Sequence, residues 1–368
     1  MNFNYDKPII AVTGSAGKTM VKTMISAILR EKWVIFESKD YYNTFQHTRE
    51  HVKKISFIHR AAVLEYGIGY PGNLTEHCKA IQPTMGIITN IGLAHVGNFQ
   101  GKVELLAAAK SELIKGMNPN GTLFTNKDDE YSILLDTSDF KGKIVTIGIK
   151  TESDYQAKEI KYSETGTTFT VTLDGNKYAI SIPVLGYHNI SNALFAIAVC
   201  HQLGFLPLEI QTGLKNIKKP NHRLDVRRLK DDITVIDDTV HANPPAMKAA
   251  IDVLADLSGK KKIAILGTMT RLAPHSKKYH EEIGRYVTSH NIDYLYTYGG
   301  FSRNYDVGAI AAGHPQEKVK HFEVEKIEEF YQDLVQTIEP GTIILVKGAS
   351  GLNMYDIVRY LCKHYRIK

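Results

Sequence analysis

A glycine-containing loop, Thr13-Gly14-Ser15-Ala16-Gly17-Lys18-Thr19, lies between an apolar run and a stretch of helix-forming residues. The run that precedes it, Pro8 to Thr13, predicts a buried strand, and Lys18 to Lys32 predicts the helix that follows. Glycines in such a loop let the backbone N–H groups and the helix N-terminus approach a polyphosphate. A strand, a phosphate-binding loop and a helix in this order indicate an α/β fold built on a parallel sheet.

Each residue of the loop has an expected role. The backbone of Gly14, Ser15, Ala16 and Gly17 is expected to hold the phosphates, Lys18 to supply charge to the outer ones, and the Thr19 hydroxyl to bind Mg²⁺. The general pattern has Gly where this chain has Val12, so a strand-helix turn with a chance Gly-Lys-Thr is the alternative interpretation. The loop predicts nucleotide binding and does not identify the reaction.

The rest of the first half alternates short apolar runs with helical spacing. Three further runs predict strands: Ala61 to Tyr66, Met85 to Asn90 and Thr122 to Asn126. Val103 to Gly116 predicts a helix between the last two. This alternation favours a doubly wound, mostly parallel sheet with helices on both faces.

The pattern changes to period two between about Lys143 and Pro183, where Asp174-Gly175-Asn176 is typical of a hairpin turn. We therefore expect a small antiparallel appendage, followed by a long helix at Asn189 to Leu203. A polar segment near Pro220 marks the predicted boundary, giving an ATP-binding domain at 1–217 and a second, smaller Rossmann-like α/β domain at 218–368. The strands predicted for the second domain are Thr234 to Asp237, Lys262 to Leu266, Tyr294 to Tyr298 and Thr342 to Val346.

Composition narrows the function classes. Of the 368 residues, 43% are hydrophobic and no run suggests a membrane span or a signal peptide, so a cytoplasmic protein that does not bind membranes is expected. Three dispersed cysteines match no metal-ligand spacing and fit a reducing compartment. The formal charge of +6 is too diffuse to suggest nucleic acid. Small-molecule substrates and a monomer or homodimer are expected.

Seven further segments occur in a fixed order along the chain: Leu64-Glu65, Thr89 to His95, Ala109 to Ile114, Gly186 to Ala193, Asp237 to Pro244, Leu266 to Met269, and Lys347-Gly348. Together with the loop, they resemble the motifs of the Mur ligase superfamily. The resemblance is closest to the branch that adds D-alanyl-D-alanine to a UDP-N-acetylmuramoyl tripeptide. It implies an ATP-dependent carboxylate-amine ligase that works through an acyl phosphate and releases ADP and phosphate.

The resemblance also implies roles for individual residues. Those expected to bind Mg²⁺, or Mn²⁺, are Thr19, Glu65, His95 and a carbamylated Lys110, and Lys18, Glu65, His95 and Lys110 form the expected catalytic set. Those expected to bind ATP outside the loop are Asn189, Asn192, Arg223 and Asp238, the two asparagines near the adenine and the aspartate at the ribose. Taken alone, Lys110 could be a surface lysine, and the asparagines could cap the helix that they begin.

The chain departs from that branch where the family binds its substrates. The phosphate loop begins at Thr13, so the N-terminal UDP-sugar-binding domain of the branch, on the order of 100 residues, is expected to be lacking. The segments that differ are Tyr42 to Arg49, Gly267 to Ala273 and Lys347 to Ser350, and the resemblance implies that they lie at the substrate site. The substrate residues expected there are Asn43, His47, Arg49, Arg271 and Lys347. We therefore expect a substrate that is not UDP-linked, in specialised or cell-wall-related biosynthesis.

Two other functions remain open at this point. Folylpolyglutamate and poly-γ-glutamate ligases share the superfamily motifs, although the segments at Gly186 and Asp237 resemble the D-alanyl-D-alanine branch more closely. A nucleotide-binding protein without catalysis is the other alternative. Retention of Lys18, Glu65, His95 and Lys110 argues against it, because simple nucleotide binding does not need a second set of metal ligands.

Overall fold

A computed structural model describes residues 5–40, 42–92, 96–163, 166–217, 222–240, 242–270, 272 and 274–366. The chain divides into two compact units, Met1–Pro220 and Asn221–Lys368. Within the described ranges, no helix is both long enough and apolar enough to span a lipid bilayer.

The first unit is built on a seven-stranded sheet in the order β2-β3-β1-β4-β5-β6-β7, with every neighbouring pair parallel. Its strands are β1 (Ile9–Thr13), β2 (Ile35–Glu37), β3 (Ala61–Glu65), β4 (Met85–Ile88), β5 (Thr122–Asn126), β6 (Lys143–Gly148) and β7 (Tyr155–Gln156). All residues of β1, β3 and β4 are buried, because helices cover both faces of the sheet.

The helices that cover this sheet are α1 (Lys18–Leu29), α2 (Phe45–Lys54), α3 (Asn73–Ala80), α4 (Val103–Gly116), α5 (Tyr187–Gln202) and α6 (Pro207–Lys215). One apolar core lies under α1, α5 and α6 and includes Ile25, Phe195 and Leu214. A second lies under α3 and α4 and includes Leu74 and Leu113. The predicted doubly wound, mostly parallel fold is confirmed.

A three-stranded antiparallel sheet forms the appendage, from β8 (Lys158–Ser163), β9 (Gly166–Leu173) and β10 (Asn176–Ile182). Asp174 and Gly175 both have positive φ, 48° and 78°, as the tight turn between β9 and β10 requires. The extent predicted for the appendage was wrong at its start. Residues from Lys143 belong to the parallel sheet, since β6 pairs with β5, and a period-two pattern does not reveal the partner strand.

The second unit has a six-stranded sheet in the order β11-β12-β16-β13-β14-β15, parallel except for β11. The strands are β11 (Asp225–Arg228), β12 (Thr234–Asp238), β13 (Lys261–Gly267), β14 (Tyr294–Tyr298), β15 (Val319–Phe322) and β16 (Thr342–Lys347). The helices are α7 (Pro244–Asp256), α8 (Ser276–Ser289), α9 (Arg303–Ala311), α10 (Ile327–Thr337) and α11 (Tyr355–His364). Asp238 and Lys347 end neighbouring strands and face each other in register.

Candidate active site

The phosphate loop connects β1 to α1, where the strand order of the sheet reverses. Its two glycines are required sterically. A Cβ on Gly14 would lie 1.9 Å from Oγ1 of Thr89, and one on Gly17 would lie 2.4 Å from Oδ1 of Asn192. Gly17 also has φ +81°, a conformation that other residues rarely adopt. The loop can therefore take this shape only with glycine at both positions.

The end of β4 holds the loop in place. The backbone N–H of Ser15 donates to the Asn90 carbonyl at 3.1 Å, and that of Ala16 donates to Asn90 Oδ1 at 3.0 Å. Thr89 Oγ1 donates to the Ala16 carbonyl at 2.5 Å. Thr89 and Asn90 belong to a motif noted in the sequence, but no role was predicted for them. They fix the loop that is expected to hold the phosphates.

Glu65, at the end of β3, is held at both carboxylate oxygens. Thr19 Oγ1 donates to Oε2 at 2.9 Å, and Asn43 Nδ2 donates to Oε1 at 2.8 Å. The backbone N–H of Glu65 donates to Ser38 Oγ at 3.0 Å, and the residue is only 2% exposed. Beside them, Lys18 Nζ donates to the Gly14 carbonyl at 2.8 Å. Hydroxyl and carboxylate oxygens side by side are ligands that suit Mg²⁺ or Mn²⁺.

The remaining metal ligands predicted from the sequence are not assembled by the described residues. His95 lies outside them. Among the residues that are described, no group of three or more His, Cys, Asp or Glu could hold a metal ion. The Thr19–Glu65 oxygen pair is thus the part of the predicted metal set that the structure brings together.

Lys110 lies on the inner face of α4 and is completely buried, so the interpretation as a surface lysine was wrong. Its Nζ has no hydrogen-bond partner among the described residues. Burial holds the pKa of Lys110 well below its ordinary value; the positive charge of Lys18 lowers it further, and Asp129 partly opposes this. These surroundings favour a neutral amine at that position.

Asp129 is a residue that sequence reasoning missed. Burial raises its pKa, and its Oδ2 accepts the Ile91 N–H at 2.8 Å and the Ser132 hydroxyl at 2.7 Å. It lies in a connecting segment outside every motif, so no local signal marked it. Its carboxylate partly offsets the lowering of the Lys110 pKa by burial and by Lys18.

Asn189 and Asn192 are both buried, on the first turns of α5. Gly186 caps the helix without a side-chain hydrogen bond, so the capping interpretation was wrong. Instead, Asn189 Nδ2 donates to the Leu185 carbonyl at 2.7 Å, and Asn192 Nδ2 donates to Asn189 Oδ1 at 3.0 Å. The pair reaches the phosphate loop, because Oδ1 of Asn192 faces Gly17.

One of the segments expected to bind substrate precedes and begins α2. Asn43 contacts Glu65 directly, as described above. The His47 side chain completes a capping box with Thr44 and stacks on Tyr42, with ring centroids 4.5 Å apart. The guanidinium of Arg49 lies 5.8 Å from the centroid of the Phe45 ring. The structure brings Asn43 to the candidate metal site, while His47 and Arg49 lie along α2.

In the second unit, Lys347 Nζ donates to Asp238 Oδ2 at 2.6 Å, and Lys347 is 1% exposed. The roles expected from the resemblance were separate, Lys347 at a substrate and Asp238 at the ribose, and their ion pair was not predicted. The neighbouring Asp237 is fully buried and accepts hydrogen bonds from His222, Arg227 and Thr239.

Arg223 is half-buried and lies between two residues of positive φ, His222 at 58° and Leu224 at 48°. Non-glycine residues in this region of φ are often found at functional sites. Arg271 lies outside the described residues.

Comparison with known proteins shows which family profiles and which relatives this chain matches. The profile of the Mur ligase middle domain matches residues 12–200, and that of the Mur ligase glutamate ligase domain matches residues 222–350. The chain is 32% identical over 360 residues to the UDP-N-acetylmuramoyl-tripeptide–D-alanyl-D-alanine ligase of Bacillus subtilis. That alignment covers 96% of this chain and 75% of the relative.

Solved structures agree with these matches. MurF from Acinetobacter baumannii is 27% identical and has a TM-score of 0.89, covering 98% of this chain and 77% of that one. MurF from Thermotoga maritima, a complex with ADP, is 23% identical and has a TM-score of 0.86, covering 98% of this chain and 81% of that one. The second similarity establishes a shared fold.

Proposed function

This chain belongs to the Mur ligase family and is an ATP-dependent peptide ligase, and we propose that it activates its carboxylate substrate as an acyl phosphate. The observation that carries the proposal is the arrangement at the phosphate loop. The Thr19 hydroxyl and Asn43 amide both bind the Glu65 carboxylate, and Lys18 lies one residue away. The site thus places a phosphate-binding cation, Lys18, next to the oxygen ligands that Thr19 and Glu65 offer to Mg²⁺.

The proposed reaction has two steps. A carboxylate oxygen of the substrate attacks the γ-phosphorus of ATP, forming an acyl phosphate as the bond to the leaving ADP breaks. A neutral amine then attacks the acyl carbon, phosphate leaves, and the nitrogen loses a proton. Mg²⁺, when bound by Thr19 and Glu65, would neutralise charge on the phosphates. Lys18 would hold the outer phosphates, and His95 remains a proposed metal ligand.

Lys110 is proposed to carry a carbamate that completes the metal site. The neutral amine would attack CO₂, forming an N–C bond as one C=O bond opens onto its oxygen, and the nitrogen would lose one proton, leaving a carbamate with an anionic oxygen that can bind the metal. Full burial, the lack of a hydrogen-bond partner among the described residues and the lowered pKa of Lys110 all support this proposal.

The other site residues have proposed roles. Asn189 and Asn192 would contact ATP beside the phosphate loop, and Arg223 and Asp238 are the other proposed ATP contacts. Lys347 would meet the incoming substrate or the phosphoryl group. The proposed substrate contacts are Asn43, His47, Arg49 and Arg271.

The proposed amine is a D-alanyl-D-alanine-type dipeptide, a class supported by the name of the Bacillus subtilis relative. That name also supports a UDP-linked muramoyl tripeptide as the carboxylate. A carboxylate without UDP is our preferred candidate. It is supported by the stacked Tyr42–His47 pair and by Arg49, which stand where the resembling branch has an asparagine-rich loop.

One assay tests both the acyl-phosphate mechanism and the preferred carboxylate. Purified protein with ATP and Mg²⁺ is given D-alanyl-D-alanine and either the UDP-linked muramoyl tripeptide or the same tripeptide without the UDP-sugar. ADP and phosphate are expected, and hydroxylamine in place of the dipeptide should trap a hydroxamate. AMP and pyrophosphate would rule out the acyl phosphate. Turnover only with the UDP-linked tripeptide would reject the preferred carboxylate.

A further inference from the structure

Two buried side chains hold the segment that follows β13, Gly267–Thr270. The backbone N–H of Met269 donates to Nε2 of His280 at 3.0 Å, and the hydroxyl of Tyr305 donates to the Gly267 carbonyl at 3.0 Å. Both His280 and Tyr305 are fully buried, and Met269 is 1% exposed. The backbone of the segment is therefore held by one buried side chain of α8, His280, and one of α9, Tyr305.

Glycines in these helices explain why the two side chains meet. A Cβ on Gly284 of α8 would lie 1.9 Å from the Tyr305 carbonyl oxygen, and one on Gly308 of α9 would lie 1.9 Å from the Glu281 carbonyl oxygen. The two helix backbones thus approach more closely than larger residues would allow. The rings of His280 and Tyr305 consequently pack together, with centroids 4.7 Å apart.

The hydrogen-bond partners assign the tautomer of His280. Its Nδ1 lies 2.7 Å from the Ser276 carbonyl, which can only accept, so Nδ1 carries the proton. The Met269 N–H can only donate, so Nε2 is unprotonated. Burial lowers the pKa of His280, in keeping with a neutral ring. The imidazole thus acts as an acceptor of fixed orientation for one backbone N–H.

We propose that His280, supported by Tyr305, is a positioning residue that sets the backbone of Gly267–Thr270 for the incoming amine. This inference rests on the proposed function, in which Arg271, the residue that follows this segment in the sequence, is a substrate contact. His280 would not contact the amine. It would act through the Met269 amide, so its loss should weaken use of the amine more than use of ATP.

Two isosteric variants separate this role from a general loss of stability. In His280→Gln the side-chain oxygen can reach the Met269 N–H, whereas His280→Asn places its amide near Ser276 and leaves that N–H unpaired. His290→Asn is the matched control, because His290 Nδ1 also bonds a carbonyl four residues earlier, that of Tyr286, and does not contact the segment. Tyr305→Phe removes the hydroxyl that bonds the Gly267 carbonyl and also interacts with the Met269 backbone.

Hydrogen exchange of the Met269 amide and steady-state kinetics are measured on all four variants. His280→Asn should expose the amide and raise KM for D-alanyl-D-alanine about tenfold, with KM for ATP and hydroxamate formation changed less than threefold. Tyr305→Phe should shift the same KM in the same direction, while His280→Gln and His290→Asn should stay near wild type. Unchanged amide exchange in His280→Asn, or KM for ATP rising equally, would overturn the proposal. A wild-type protein that releases no ADP would contradict the proposed function, and amide exchange would still test the contact.

Discussion

The hydroxyl of Thr19 donates a 2.9 Å hydrogen bond to Oε2 of Glu65, so the first turn of α1 and the end of β3 share one polar contact. Asn43 donates to the other carboxylate oxygen, from the segment proposed to bind substrate. The candidate metal site and the candidate carboxylate site therefore meet at a single side chain. A change at Glu65 should affect both.

Glu65→Gln should lower the rate of ADP release about a hundredfold at fixed Mg²⁺, because the amide keeps the shape but loses the negative charge that binds the cation. Raising the Mg²⁺ concentration should restore part of the rate, which is measured as a Mg²⁺ titration of ADP release. Glu50→Gln, which changes an exposed carboxylate on α2, is the control. A wild-type Mg²⁺ dependence in Glu65→Gln would remove the residue from the metal site.

Two lysines one turn apart on α1 should respond differently to substitution. Lys18→Ala should abolish ATP turnover with little change in Tm, because its Nζ contacts a loop carbonyl beside the phosphate site. Lys22 is buried and donates to the carbonyls of Ser38 and Asp40, so Lys22→Ala should lower the unfolding free energy by about 1–3 kcal/mol. Thermal unfolding and ADP release are measured for both. Loss of the thermal transition in Lys18→Ala would show a structural role.

Gly17→Ala should eliminate nucleotide binding, because its Cβ would lie 2.4 Å from Asn192 Oδ1 and φ is +81°. Gly175→Ala separates these two effects, since it has a similar φ of +78° and nothing within 4 Å of its Cβ. We expect Gly175→Ala to cost about 1 kcal/mol of stability and no ATP affinity. ATP binding is measured by calorimetry. Gly17→Ala with wild-type affinity would contradict the required backbone approach.

Sequence patterns located the elements that their own residues determine. The helix at Val103–Gly116 and the strand at Thr122–Asn126 have the predicted bounds, because each carries a complete local pattern. The three-residue strand β2 was not predicted, because it is too short to show a pattern.

The candidate site residues divide in the same way, into those that a local motif marks and those that only the folded structure brings together. Lys18, Thr19 and Glu65 could be proposed as site residues from the sequence because they lie in motifs, whereas Ser38 reaches Glu65 only through the pairing of strands. The Asp238–Lys347 ion pair joins residues 109 positions apart and depends on β12 and β16 being neighbours. Contacts of this kind arise from tertiary structure, which a single sequence does not display.

Stability should fall at acidic pH because of two buried histidines near α2. Burial lowers the pKa of both His51 and His77 from 6.5 to about 4. Between these values the unfolded chain binds more protons than the folded one, so stability is complete above about pH 6.5 and declines toward pH 4. The expected loss is roughly 3 kcal/mol for each histidine once the pH is below the folded pKa.

Urea unfolding as a function of pH measures this effect. His77→Asn removes one titrating ring and can keep a polar contact to Thr48, whose Oγ1 lies 2.6 Å from Nδ1 of His77. The variant should therefore show a shallower pH dependence than wild type between pH 4 and 6.5. An equally steep slope in the variant would assign the acid sensitivity to other groups.

Lys110 gives the most direct test of the proposed metal site. A neutral lysine is a poor ligand for Mg²⁺ and a protonated one repels the cation, whereas a carbamate offers an anionic oxygen. Lys110→Ala should therefore reduce ADP release on the order of a hundredfold or more, if the metal is lost with the side chain. Because Lys110 is fully buried and its Nζ lacks a hydrogen-bond partner among the described residues, the truncated site should admit a small anion.

Acetate or formate should accordingly restore part of the activity of Lys110→Ala, in proportion to its concentration, and chloride at the same ionic strength should not. Lys110→Arg should be inactive and not rescued, because a fixed positive charge then fills the same volume. The rates are compared with CO₂ present and after its removal, where wild type should lose activity reversibly and Lys110→Ala with acetate should not. Near-normal turnover in Lys110→Arg would show that the residue acts as a cation and that the carbamate proposal is wrong.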